Sequence, residues 1–198
     1  MAMSSRLPAA ERRDQLLSVA LDVFAAQGFH ATSMNDIAAA AGVTKPVLYQ
    51  HFSSKRGLYL ELLRDVGDRL MAAIGKATAE AGTPHKQVER GFQAYFRFVA
   101  EEGTSFVLLF GSGARRDEEF AAAVRSVEHT IAEAIATLID ADIDPAHRKN
   151  LAYGLVGLAE GTSRHWVDQQ LDLDPDLLAA QVADLAWAGL RGIHRIER

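Results

Sequence analysis

The sequence predicts an all-α protein, and three observations predict it. Apolar residues recur at helical spacing in nearly every segment. Only five prolines occur, at 8, 46, 84, 145 and 175, and several stand where a helix would begin. One run, Phe106-Val107-Leu108-Leu109-Phe110, suits a buried strand or a short buried helix. No second strand candidate exists to pair with it, so it is assigned to a helix.

The elements follow in order. Pro8 opens the first helix, whose stripe of Leu16, Ala20, Val23 and Phe24 ends near Gly28. Ser33 caps a short second helix, Met34 to Ala41, closed by Gly42. Thr44 caps a third, from Lys45 to about Phe52. Ser53 or Ser54 caps a longer fourth, which runs past Leu63 and Leu70 towards Ala81. After the Gly82-Thr83-Pro84 break, a helix covers about His85 to Glu102, and the apolar run fills 104–110. Gly111-Ser112-Gly113 reads as a flexible corner. Another helix spans about Asp117 to Asp140, and Pro145 and Pro175 introduce the last two.

Composition narrows the function. The 198 residues are 48% hydrophobic and 24% charged, enough for a packed core and unlike a disordered chain. The net charge of −5 argues against a coat protein that binds nucleic acid by bulk charge, but leaves room for a local basic face. Residues 1–64 hold seven basic and five acidic side chains, whereas 65–198 hold fourteen and twenty-one. A slightly basic front and an acidic back suggest two jobs on one chain. Cysteine is absent, which rules out disulfide scaffolds, thiol catalysis and zinc ribbons. The N-terminal residues lack the apolar core of a signal peptide, and no uncharged stretch reaches the ~18 residues of a membrane helix. The expected location is the cytoplasm, with no membrane partner, metal or cofactor.

The informative block runs from Ile37 to Phe52. Two short helices separated by a three- or four-residue turn with a glycine form the helix-turn-helix pattern. Gly42 suits the positive φ of a tight turn, and Ala38 and Ala41 let the helices approach. Ile37, Val43, Leu48 and Phe52 supply apolar contacts at the crossing. Pro46 stands in the first turn of the second helix, where a missing N–H costs little.

From Arg12 to Leu63 the chain resembles the DNA-binding domain of the TetR/AcrR family of bacterial regulators. The matching features are Ala20-x-x-Val23-Phe24, Gly28-Phe29, Thr32-Ser33-Met34-x-Asp36-Ile37-Ala38, Ala41-Gly42-Val43-Thr44, Leu48-Tyr49-x-His51-Phe52 and Lys55-x-x-Leu58. Pro46 departs from the pattern, because many relatives carry Gly, Ala or a polar residue there. The resemblance implies a DNA-binding domain over residues 9–55 and a larger helical effector-binding and dimerisation domain over 56–198. The helix after Thr44 is expected in the major groove of double-stranded operator DNA. Lys45, Pro46, Val47 and Gln50 are the candidates for base edges: Gln pairs with adenine, Lys with guanine, and Val or Pro touches a thymine methyl. Ser33 and Thr44, with their helix-start N–H groups, are expected at phosphates. Tyr49, His51 and Lys55 join them at the matching family positions.

The last two helices suggest association. Leu151, Leu155, Leu158, Thr162 and Trp166 fall on one face, and Leu178, Val182, Leu185, Gly189 and Ile193 on another. Gly154, Gly157 and Gly161 allow a partner helix close approach. In similar proteins these helices pair into a four-helix dimer interface, and a two-fold dimer suits a palindromic operator. Six of the fifteen aromatic residues lie between Phe92 and Phe110. Phe92, Tyr95, Phe96, Phe98, Phe106 and Phe110 suit a core, and the resemblance favours an effector pocket among them. Arg97, His129, Arg164 and His165 are the polar groups available to orient a ligand.

Catalytic patterns are missing. There is no Glu-x-x-His pair, no His-Glu-x-x-His, no Gly-x-Ser-x-Gly elbow and no phosphate loop. The sequence therefore leads to a homodimeric, ligand-responsive transcriptional regulator, taken as a repressor released by a small apolar or amphipathic effector. The alternatives are a helical binding protein that activates or has no DNA role, and a helical enzyme.

Overall fold

The computed structural model describes residues 8–110 and 117–193, and the expected corner at 111–113 lies outside them. Every regular element among the described residues is a helix. The helices are α1 (Ala9–Ala31), α2 (Met34–Ala40), α3 (Lys45–His51), α4 (Lys55–Ala79), α5 (Pro84–Glu101), α6 (Gly103–Phe110), α7 (Glu118–Leu138), α8 (Pro145–Asp168) and α9 (Pro175–Leu190). The expected boundaries hold to within two residues, except that α1, expected to end near Gly28, resumes after it and runs to Ala31. The ambiguous apolar run is the helix α6.

Local chemistry starts each helix. The side chains of Ser33, Ser54, Thr83, Asp117, Asp144 and Asp174 all accept a first-turn N–H. Proline occupies the first turn of α3, α5, α8 and α9. Thr44 holds the N-cap position of α3 but its hydroxyl makes no cap bond, which corrects its expected capping role. Helix α1 is interrupted at Gly28, where φ is +79°. One more turn follows, and the Thr32 hydroxyl donates to the Gly28 carbonyl at 2.8 Å.

The three N-terminal helices share a core of Leu16, Ala20, Phe24, Ile37, Leu48 and Phe52. This head is not separate from the rest. Helix α1 also packs on α4 and α6, and Tyr59 of α4 meets Phe24 edge-on at 5.1 Å. In the larger part, α5 packs between α4 and α9, while α7 packs on α4 and α8. The α4–α7 crossing depends on Gly67. A Cβ there would lie 2.6 Å from Val127 Cγ2, so only glycine allows this approach.

Candidate nucleic-acid interface and ligand cavity

The turn between α2 and α3 is built around Gly42, with φ +64°. The Val43 N–H returns to the Ala38 carbonyl at 3.0 Å. Leu48 and Phe52 face inward, and the Arg13 guanidinium covers the Phe52 ring at 5.0 Å. That arrangement turns the other side of α3 outward. Thr44, Lys45, Pro46 and Gln50 are exposed, Tyr49 is 43% exposed, and Val47 and His51 are half-buried. Lys45 Nζ lies 5.8 Å from the centre of the Tyr49 ring. The expected base-edge candidates therefore share one outward face, with the Thr44 hydroxyl uncommitted at its start.

Two side chains expected at phosphates are engaged within the protein. Ser33 is taken by a reciprocal cap: its hydroxyl accepts the Asp36 N–H and donates to the Asp36 carboxylate, which also accepts the Ser33 N–H at 2.8 Å. These bonds hold the Asp36 carboxyl below its ordinary value of 3.8, so a negative charge stands where a phosphate was expected. Lys55 donates to the carbonyls of Phe29 and Thr32, both at 2.8 Å, and lies 4.4 Å from the Phe29 ring centre. It ties α4 to the end of α1, which leaves one ammonium proton uncommitted.

A second feature was not foreseen. Arg56 reaches across to the start of α7, donating to Asp117 at 2.7 Å and pairing with Glu119. Its guanidinium also covers Phe120 at 4.7 Å. Phe120 packs in turn on Phe29 at 4.7 Å and Tyr59 at 4.5 Å. The head is thus clamped to α7 as well as continuous with α4. Sequence separation hid this contact, since Arg56 and Asp117 are 61 residues apart.

The aromatic region borders a half-open cavity of about 390 Å³. Ile74 and Thr78 of α4, Val88 and Phe92 of α5, Phe110 of α6, Ile131 and Ile135 of α7, Leu155 of α8 and Trp187 of α9 are among its walls. Phe92, Tyr95 and Phe110 line it as expected. Phe96 and Phe106 do not: Phe96 is fully buried against Trp166, and Phe106 packs behind Phe110. His129 is also displaced. It is exposed and meets the Tyr153 hydroxyl at 2.9 Å. Arg164 pairs with Glu160 outside the wall, and Arg97 binds Asp176 through two bonds on the surface. The apolar half of α7 supplies walls that the aromatic count overlooked, though its Ile131-Ile135-Leu138 spacing carries the signal.

The expected dimer residues divide. Val182 and Leu178 turn into the protomer's own core, and Leu155 lines the cavity. Leu151, Leu158 and Trp166 are half-buried. Leu185 is 63% exposed, and it shares an outward face of α9 with Gly189. On α8 the exposed positions include Tyr153, Gly154, Gly157 and Gly161, and a Cβ at each of these glycines would meet nothing within 4 Å. No helix among the described residues is long and apolar enough to cross a membrane, and no acidic or histidine cluster there suits a metal.

Comparison with known proteins places the chain among known families and folds. Residues 16–62 match the family described as bacterial regulatory proteins, tetR family, and residues 84–189 match the tetracyclin repressor-like C-terminal domain. The chain is 35% identical over 188 residues to the HTH-type transcriptional activator FasR of Mycolicibacterium smegmatis, covering 94% of this chain and 86% of that one. It is 29% identical to the HTH-type transcriptional repressor KstR2 of the same organism, covering 96% and 83%. The fold matches that of the regulator FadR from Bacillus subtilis, solved with stearoyl-CoA. The TM-score is 0.76 at 17% identity, over 91% of this chain and 99% of that one.

Proposed function

We infer that this chain, which belongs to the tetR family of bacterial regulatory proteins, binds operator DNA as a homodimer and changes its grip when a small molecule enters the cavity. The observation that carries the reading is that α4 serves both regions. Its first turns pack on α1, and its last turns wall the cavity through Ile74 and Thr78.

On the DNA side, α3 enters the major groove. Lys45, Pro46, Val47 and Gln50 read base edges, while Thr44, Tyr49 and His51 hold the backbone, joined by the remaining Lys55 proton. Ser33 takes no part, because Asp36 occupies it. The exposed glycine face of α8 and the Leu185–Gly189 face of α9 pack against their counterparts. Two heads then sit about one DNA turn apart, roughly 34–36 Å, on a palindromic site. The effector is an apolar or amphipathic molecule, in keeping with the apolar walls and with the long-chain ligand of FadR.

Entry of a ligand between α4 and α7 shifts α4 and with it the head spacing. A tenfold change in operator affinity needs about 1.4 kcal/mol of coupling. We take the operator-bound state as a repressor that the effector releases, as the KstR2 likeness supports. Activation is the second reading, favoured by the higher identity to FasR. The test is unbiased selection of operator sequences by the purified protein, followed by transcription from that operator with and without protein. Recovery of a palindrome supports the reading. Selection of no sequence at all rejects it.

A further inference from the structure

Helix α5 lines the cavity with Pro84, Gln87, Val88, Gly91, Phe92 and Tyr95. Gly91 stands in the middle of this face, and among the described lining residues it is the single glycine. Glycine is a poor choice for a helix interior, because it loses more backbone freedom on folding than any other residue. A positive φ or a close helix crossing would explain it. Neither applies here. The φ of Gly91 is not among the positive ones. A Cβ at Gly91 would meet one atom of a neighbouring helix within 4 Å, Thr78 Cγ2 at 3.4 Å, an ordinary contact. At Gly67 the same addition would fall 2.6 Å from Val127 Cγ2. The α4–α5 packing therefore accepts alanine at position 91, and helix propensity prefers it.

What the missing side chain leaves is room in the cavity. Thr78 lines the cavity too, and it is 8% exposed. Its hydroxyl donates to the Ile74 carbonyl at 2.9 Å, so the oxygen is turned back along α4 and the methyl group faces Gly91. The wall at this point therefore presents carbon. One turn to either side, Gln87 and Tyr95 restore side chains to the same row of α5. Their Cα atoms are eight residues apart along the helix, about 12 Å. Between them Gly91 leaves a notch that opens sideways from the cavity and does not lengthen it. A straight alkyl chain can run past such a notch without entering it. A ring or a branch fills it.

We propose that Gly91 is the specificity-determining residue of the cavity: the notch it leaves admits the widest part of the effector, an apolar ring or branched body, and favours such a ligand over a straight alkyl chain. This rests on the cavity being the effector site. A methyl group added at Gly91 narrows the notch while the helix packing is kept. Stability and binding of a wide ligand then move in opposite directions. A glycine that served the fold would lose both together.

The full-length protein is compared with Gly91→Ala and Gly91→Leu by thermal unfolding and by titration with two uncharged probes. N-phenyl-1-naphthylamine carries aromatic rings, and 1-dodecanol is a straight chain. Trp187 stands in the cavity wall, so its fluorescence reports occupancy by either. Gly91→Ala is expected to raise the thermal midpoint by about 2–4 °C. The same variant is expected to weaken the naphthylamine about three- to tenfold and to change 1-dodecanol by less than about twofold. Gly91→Leu, whose side chain occupies the notch, is expected to weaken the naphthylamine by more than about tenfold. A Gly91→Ala variant with a lowered midpoint makes Gly91 a packing residue and overturns the proposal. Unchanged naphthylamine affinity in both variants, or an equal loss for the two probes, also overturns it and leaves the cavity as a binding site. If neither probe alters the fluorescence of the folded parent, the cavity itself fails as the effector site and the proposal falls with it.

Discussion

Replacing Gly67 with alanine tests how tightly the head-bearing helix is fitted to its neighbour. The added methyl group would stand 2.6 Å from Val127 Cγ2 and 2.9 Å from Cγ1. Non-bonded carbons prefer about 3.5–4.0 Å. Val127 resists rotation, because a β-branched side chain in a helix has one strongly preferred rotamer. Overpacking of this kind costs about 1–3 kcal/mol. Against it stands helix propensity, which favours alanine over glycine by about 0.8–1.0 kcal/mol in a helix interior. Gly67→Ala alone should therefore destabilise the protein by roughly 0–2 kcal/mol, lowering the melting temperature by up to about 8 °C. Val127→Ala removes both crowding carbons. In that background the same Gly67→Ala change keeps mainly its propensity gain and should stabilise by up to about 1 kcal/mol. The effect of one substitution changes sign with its neighbour, and the coupling energy is about 1–3 kcal/mol. Urea unfolding of the four proteins, followed by helical circular dichroism, measures the cycle. A Gly67→Ala variant that stabilises both backgrounds equally, with coupling under about 0.5 kcal/mol, refutes the close-crossing argument.

Three further outcomes are expected. Gln50→Ala or Lys45→Ala should relax preference at particular base pairs by about 1–3 kcal/mol, whereas Tyr49→Phe should weaken all operator variants alike; binding to a panel of single-base variants separates the two patterns. Leu185→Asp should give a folded monomer by sedimentation, because Leu185 is exposed in the single chain but is placed at the dimer face, where an unpaired charge is strongly unfavourable. Asp36 and Asp117 both titrate below their ordinary value of 3.8, Asp36 through Ser33 and Asp117 chiefly through Arg56. Their folded pKa values are depressed, so their stabilisation is full above about pH 4 and fades as pH falls through the lower folded values. Asp36→Asn should flatten the acid limb of the stability–pH curve, and Ser33→Ala, which removes the largest cause of the Asp36 depression, should flatten it in the same direction.

The head was legible because its signals are local. Ser33, Gly42 and Pro46 sit within a few residues of what they control, and the apolar set of Ile37, Leu48 and Phe52 proved to be core. The Ser33-x-x-Asp36 spacing also carries the signal of the reciprocal cap found at the start of α2. The larger part was less legible, because periodicity marks an apolar stripe without saying what covers it. Val182 and Leu185 are three residues apart on α9, yet they are 7% and 63% exposed. Phe96 and Phe110 read alike in sequence, but the first is core and the second faces the cavity. The cavity itself is assembled from helices α4 to α9, so no window of sequence contains it. Arg56 and Gly67 derive their roles from partners on other helices, and no local signal singles them out.

Lys55 bears on how this protein can be recombined. A border at Ser53–Ser54, just before α4 begins, looks natural for exchanging reading heads between regulators. Its ammonium, however, holds two carbonyls at the end of α1, and the adjoining Arg56 grips the start of α7. A graft joined at Ser53–Ser54 would import a head whose Phe29 and Thr32 carbonyls must find a lysine supplied by the host, at a register the donor never met. A junction farther along, beyond Leu63, would carry the head together with its own tether and its Tyr59 packing. Such a hybrid would still have to match foreign contacts at α6, at Phe120 and at the acidic start of α7. The transferable unit is therefore longer than the sequence motif, and its outer seam is both apolar and electrostatic.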